Sequence, residues 1–159
     1  MANTYTLDDK GQKVVWSGAV TDVHTNQKEV IGSTRFHGMK VYRYYKFDNG
    51  SAVAAVSGNI AVFKAETQDI ITSDVSTGDT NKVAAGMFVS VPADAQFCWV
   101  QTRGPATVNL TLAGSAADGD GLIAGTDGAL TIATANQIHV CCATAGDASA
   151  KMVWMHCVM

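Results

Sequence analysis

Apolar and polar residues trade places at every second position along much of this chain, the period of a half-buried strand and not of a helix. Met87, Val89 and Val91 alternate with Phe88 and Ser90 until Pro92, and Val108, Leu110 and Leu112 alternate with Thr107, Asn109 and Thr111 after a break at Gly104-Pro105. Between them Phe97-Cys98-Trp99-Val100 is apolar at both parities. A strand of that kind needs cover on both faces, so it is expected at the centre of a sandwich or small barrel.

The remaining segments read as further short strands. Residues 1–13 are polar and predict an arm or marginal edge strand; residues 14–16 and 20–23 are short strand candidates, with a polar loop over 24–29. Residues 39–47 place Val41, Arg43, Tyr45 and Phe47 on one face and Tyr42, Tyr44 and Lys46 on the other. Asp48-Asn49-Gly50 follows, and an Asn-Gly pair between strand formers predicts a type I′ hairpin with residues 52–56 as the returning strand. Gly58 then permits a bend before a strand over 60–63. Residues 64–81 are a polar connection holding a strand near 69–72 or a helical turn at 65–68. Later, Leu122-Ile123 and Leu130 with Ile132 flank an Asp127-Gly128 hairpin signal; Ile138, Val140 and Cys142 alternate with His139 and Cys141, and residues 152–159 form a last, apolar strand.

Together these predict an all-β fold, a small barrel or sandwich of short antiparallel strands with an extended N-terminal arm, and less than about a tenth of the residues in helix. The expected division is an arm with edge strands over 1–37 and a β domain over 38–159, with a subdomain boundary at 64–82.

Charge narrows the function. Only 16% of the 159 residues are charged, against about 25% in ordinary globular chains, and a surface so poor in charge suggests cover by neighbours. After residue 82 the only basic residues are Arg103 and Lys151, so that half offers no basic groove to nucleic acid. The chain opens with no charged and apolar leader, and no apolar run approaches the ~18 residues that span a membrane. A soluble product made in the cytoplasm, with no membrane partner, is the expectation.

Candidate chemistry is sparse. His24, His37, His139 and His156 lie in separate segments, and Cys98, Cys141, Cys142 and Cys157 sit in strand-like contexts that predict buried free thiols. The one arrangement with nucleophile–base or zinc potential is His139 near Cys141 together with His156 beside Cys157. Asp118-Gly-Asp120 resembles the start of a calcium loop with Asp127 nearby, but Ala129 stands where a bidentate Glu is required; turn capping is the plainer reading. Trp16, Tyr42, Tyr44, Tyr45, Phe47 and Trp99 would make a sugar or base platform if exposed, and a core or interface if not. The expected set of catalytic, cofactor-binding and metal-binding residues is therefore empty.

The passages Gly38 to Lys46 with Asn49-Gly50, Phe97 to Ala106, and GDGLIAGTDGALTIA within residues 117–133 resemble the head decoration, or cement, proteins of tailed bacteriophages. The likeness extends over residues 30–159 in style rather than in a diagnostic motif. It implies a β-rich, non-enzymatic homo-oligomer, a trimer in the first instance, that binds the major capsid protein on the outer surface of the virion and strengthens contacts between capsomers. A tail or baseplate component, a carbohydrate-binding β module and a small hydrolase are the alternatives.

Overall fold

The computed structural model describes residues 18–50, 52–64, 68–75, 80–108, 116–125, 128–134, 143–147 and 151–157. They form ten strands and, among the described residues, no α-helix: β1 (Thr34–His37), β2 (Lys40–Phe47), β3 (Ile60–Lys64), β4 (Ile70–Thr72), β5 (Thr80–Phe88), β6 (Phe97–Thr107), β7 (Gly121–Ala124), β8 (Leu130–Ile132), β9 (Ala143–Asp147) and β10 (Met152–His156). The sheet order is β1-β2-β4-β3-β5-β6-β10-β9-β7-β8, and a further pairing of β2 with β6 closes β2, β4, β3, β5 and β6 into a five-stranded barrel. The expected all-β small barrel is what the chain adopts. Its pairings are antiparallel except that β2 and β4 run parallel.

Strand parity decides the cores. The odd-numbered face of β2 sends Tyr45 and Phe47 into the barrel, where they meet Phe63, Ile71, Phe88, Cys98 and Val100. Phe47 meets Phe88 edge-on at 5.5 Å, and Tyr45 meets Phe63 likewise at 5.5 Å, the arrangement that ring quadrupoles favour. The even face carries Tyr42 and Tyr44 outward to Trp99, a cluster covered by Val20 and Phe97. Beyond the barrel, β10, β9, β7 and β8 fold back over the outer side of β3 and β5. Leu122, Leu130, Ala143, Val153 and Met155 there bury against Ile60, Ala84 and Met87 in a second core.

The strand expected to be central is so: β6 pairs with β2, β5 and β10. It does not stop at Gly104-Pro105. A bulge at residues 101–103 lets it leave β5 and continue alongside β10 to Thr107. Cys157 N–H donates to Thr102 O at 3.0 Å and Val108 N–H to Lys151 O at 3.0 Å. By the alternation of antiparallel ladders, Pro105 opposite Trp154 is then a non-bonded pair. Its missing N–H costs β10 nothing, and on the other side β2 has already begun at Lys40. Gly104 sits at φ +92°, and a Cβ there would lie 2.4 Å from Met39 O, so only glycine fits.

Other expectations are corrected. Asn49-Gly50 does not turn a two-stranded hairpin, since Val53 N–H closes a wider turn on Asn49 O at 2.9 Å and residues 52–56 form no strand. Side chains hold that turn elsewhere: Asp48 accepts from Gly50 N–H at 2.8 Å and Asp94 from Asn49 N–H at 3.1 Å. The partners of β2 are therefore β1, β4 and β6. Residues 20–23 form a turn rather than a strand, and the chain after Phe88 is bent, so Val89 and Val91 extend no strand. The strands that flank the expected Asp127-Gly128 signal, β7 and β8, pair antiparallel with Ala124 opposite Leu130, while residues 126 and 127 lie outside the described residues. The expected arm over 1–13, the strand over 14–16, residues 65–67 of the helical turn offered over 65–68, the positions Leu110 and Leu112, and the alternation over 138–142 lie outside the described residues. The expected division at 37/38 falls in the tight turn between β1 and β2, and β4, within 64–82, is inserted between β2 and β3.

Trp99 is fully buried, with its ring centroid 5.1 Å from that of Tyr44 and the Arg35 guanidinium 4.5 Å above it. Trp99→Ala is expected to cost about 3–5 kcal/mol in chemical denaturation; a loss under about 1 kcal/mol would contradict the packing.

Candidate interaction surface

The most concentrated polar chemistry lies under the loop that precedes β1. His24 bridges to Phe97 by two backbone bonds of 2.8 and 2.9 Å, which brings its ring over the outer side of β2 and β6. There His24 Nδ1 lies 2.9 Å from the Tyr44 hydroxyl, which accepts from Lys28 N–H at 3.2 Å. Burial pushes the His24 pKa below its usual value; Asp22 opposes this, and Lys28 and Arg35 reinforce it. Arg35 donates to Gly18 O and stacks on Trp99. His24 and Tyr44 are closed off from solvent, so this network fastens a loop to the barrel and offers no substrate a way in.

Of the His139, Cys141, His156 and Cys157 arrangement, only the last two are among the described residues. His156 and Cys157 are neighbours on opposite faces: Cys157 is buried, while His156 is exposed with Nε2 3.3 Å from Thr144 Oγ1. Burial, and then Arg103, lower the pKa of His156. His139, Cys141 and Cys142 lie outside the described residues, and His37 stands exposed at the end of β1. Cys98 lies inside the barrel, where desolvation pushes its thiol up to about 12 and makes it inert. Among the described residues, no three His, Cys, Asp or Glu side chains gather as a metal site. Asp120 accepts from Ala117 N–H at 2.8 Å and caps its own turn; Asp127 is outside the described residues.

Of the two readings of the aromatic set, the described members take the core. Tyr42, Tyr44, Tyr45, Phe47 and Trp99 are all buried, and Trp16 is outside the described residues. The large apolar side chains that do face solvent are others. Phe36 and Met39, on the β1–β2 hairpin, are 77% and 70% exposed. Trp154 is 47% exposed on the outer face of β10, with Met152 beside it. The last strand buries Val153, Met155 and Cys157, so Met152 and Trp154 point outward by parity. Their apolar character was legible in the sequence, but not which parity would lack cover.

Register extends that outer face sideways. Pro105, Trp154, Thr144 and Gly121 form one row across β6, β10, β9 and β7, with Ile123 and Thr131 beyond. Gly146 leaves room for the indole, since a Cβ there would sit 3.3 Å from Trp154 Cδ1. Among the described side chains of these strands, Arg103 and His156, a cross-strand pair at one end of the face, are the only Asp, Glu, Lys, Arg or His.

The two depressed histidines set a pH dependence. Folding favours their neutral forms, so the unfolded chain binds more protons below about 6.5, the ordinary histidine value. Thermal stability should be level just above that pH and fall as pH drops through it, and His24→Gln should flatten the fall; stability that rises on acidification through this range would contradict it. No family model, no curated protein and no solved structure matches the chain.

Proposed function

We propose that this protein is a non-catalytic structural protein that self-associates and decorates the outer face of a tailed-bacteriophage capsid, where it bridges major capsid protein subunits. The observation that carries the reading is the outer face of β6, β10, β9 and β7, a row of small and apolar residues around Trp154 whose charge, among the described side chains, lies at one end. Exposed aromatic anchors with a charge-poor surround are the composition of an interface core. The likeness of residues 30–159 to capsid cement proteins supplies the setting. A carbohydrate module would need its aromatics exposed together, and the described members of that set are in the cores instead.

Such a protein would work by area and repetition. Each attachment is weak alone, but an oligomer matched to the local symmetry of a shell makes several at once, and the linked contacts multiply. We propose a trimer, formed through the Trp154 face, that stands on the virion exterior.

Light scattering coupled to size exclusion should give a trimer at micromolar concentration, and Trp154→Asp, on an exposed position, should give a folded monomer; a monomeric parent protein would overturn self-association. Capsids of the cognate phage heated with saturating protein should disrupt several degrees higher than bare capsids. Verified binding with no change in disruption temperature would remove the cement role, and absence of binding would move the assignment to a tail component.

A further inference from the structure

The other exposed apolar site has a different character. β1 is an edge strand, and among the described residues only β2 pairs with it. Tyr44 N–H donates to Ser33 O at 3.1 Å, so in the antiparallel ladder Ser33, Arg35 and His37 face β2. The backbone N–H and C=O of Thr34 and Phe36 therefore point away, along an open edge. Natural edges are usually blocked by shortness, charge or cover; this one carries the most exposed of the large apolar side chains, Phe36.

Beside that edge lies a cavity of about 300 Å³ whose walls include Phe36, Val41 and Cys157 and which Arg43 and Arg103 enter from β2 and β6. Register explains the pairing of cation and apolar wall: Phe36 lies opposite Val41, and Val41 opposite Arg103. Arg43 hydrogen-bonds the Tyr45 hydroxyl, which uses one of five guanidinium donors. Among the described residues neither arginine forms an ion pair. Residues 34–43, TRFHGMKVYR, contain two arginines, a lysine and a histidine and no acidic residue.

We propose that this corner is the docking site for an extended, carboxylate-bearing segment of a partner protein. The segment adds as a strand to β1, bonding to Thr34 and Phe36, and one Asp or Glu side chain enters the cavity to meet Arg43 and Arg103 while Phe36 and Met39 cover its apolar neighbours. Backbone bonds supply affinity and the alternate side chain supplies selectivity, as in other strand additions, and the planar guanidinium fork suits a carboxylate. Nucleic acid fits poorly, since a phosphate backbone needs a track of cations and this cavity has two over an apolar wall. The inference rests on the reading of the protein as one that attaches to another protein's surface, and it names as the attaching surface a corner centred on β1 that meets the Trp154 face at Arg103.

The test uses the full chain labelled with nitrogen-15 and two synthetic peptides, Thr-Val-Thr-Glu-Val-Thr-Val and the same sequence with Gln in place of Glu. The Glu peptide should shift the amides of Thr34 and Phe36 and the side-chain signals of Arg43 and Arg103, more weakly as salt rises. Arg103→Gln, at an exposed position and with an unchanged thermal midpoint, should weaken it about tenfold, as should the Gln peptide. No shift at millimolar peptide, equal response to both peptides, or tighter binding of a single-stranded oligonucleotide would overturn the proposal, as would shifts at β1 that appear with protein concentration alone, which would make the occupant a second copy. Capsid binding separates the two readings. Wild-type attachment that Arg103→Gln and Arg43→Gln leave intact removes this docking site and spares the decoration role, whereas peptide capture at β1 without capsid attachment does the reverse.

Discussion

Everything in this molecule hangs on one strand changing partners. β6 closes the barrel against β2 and β5 through its first half, and through its second half it carries β10 and so the whole second sheet. The change is made at a bulge, and one side chain holds it. Gln101 is buried, and its Nε2 lies 3.1, 3.2 and 2.9 Å from the carbonyl oxygens of Arg103, Gly104 and Pro105. One amide thus gathers three successive carbonyls just past the bulge, and a buried acceptor left with no donor costs about 1–3 kcal/mol. Gly104 completes the device by letting the chain pass against Met39 without a Cβ. Bulges bend and re-aim strands; this one lies where β6 passes from β5 to β10.

The consequence is an inside-out distribution of chemistry. Rings and imidazole that could have formed a site are consumed in holding the barrel and its loop: Tyr44 binds His24, Trp99 stacks under Arg35, and Cys98 is sealed within. What reaches solvent is apolar area on rigid strands. The two exposed clusters flank the same pivot, Trp154 opposite Pro105 and Phe36 in register with Val41 and Arg103. A strand that fixes the sheets therefore also fixes the spacing of both proposed contact surfaces, which is what a bridging protein requires.

The barrel itself was legible because parity is a local property. Residues 40–47 are strand formers whose parity splits their aromatics between two faces, and the doubly apolar Phe97 to Val100 suits a strand covered on both faces. Pairing was less legible. Asp48-Asn49-Gly50 carries a hairpin signal, yet contacts with Asp94, forty-five residues on, reshape the turn. Gly104-Pro105 carries a break signal, but the cost of proline depends on which side of the ladder its absent N–H would face, and that is set by β10. The functional surfaces were hidden for the same reason. The last strand is apolar at both parities, and only the fold shows that Val153 and Met155 gain cover while Trp154 does not. The aromatics conspicuous in the sequence were conspicuous because they build cores.

If Gln101 holds the pivot, barrel closure and second-sheet attachment are one event. Native-state hydrogen exchange of Gln101→Leu, a change that keeps apolar volume and removes the donor, tests this most directly. Protection should fall together in β2, which β6 closes upon, and in β10, which β6 carries, to similar extents. Loss confined to β10, with β2 amides exchanging as in the parent protein, would contradict the account and leave the barrel and the second sheet as separate units.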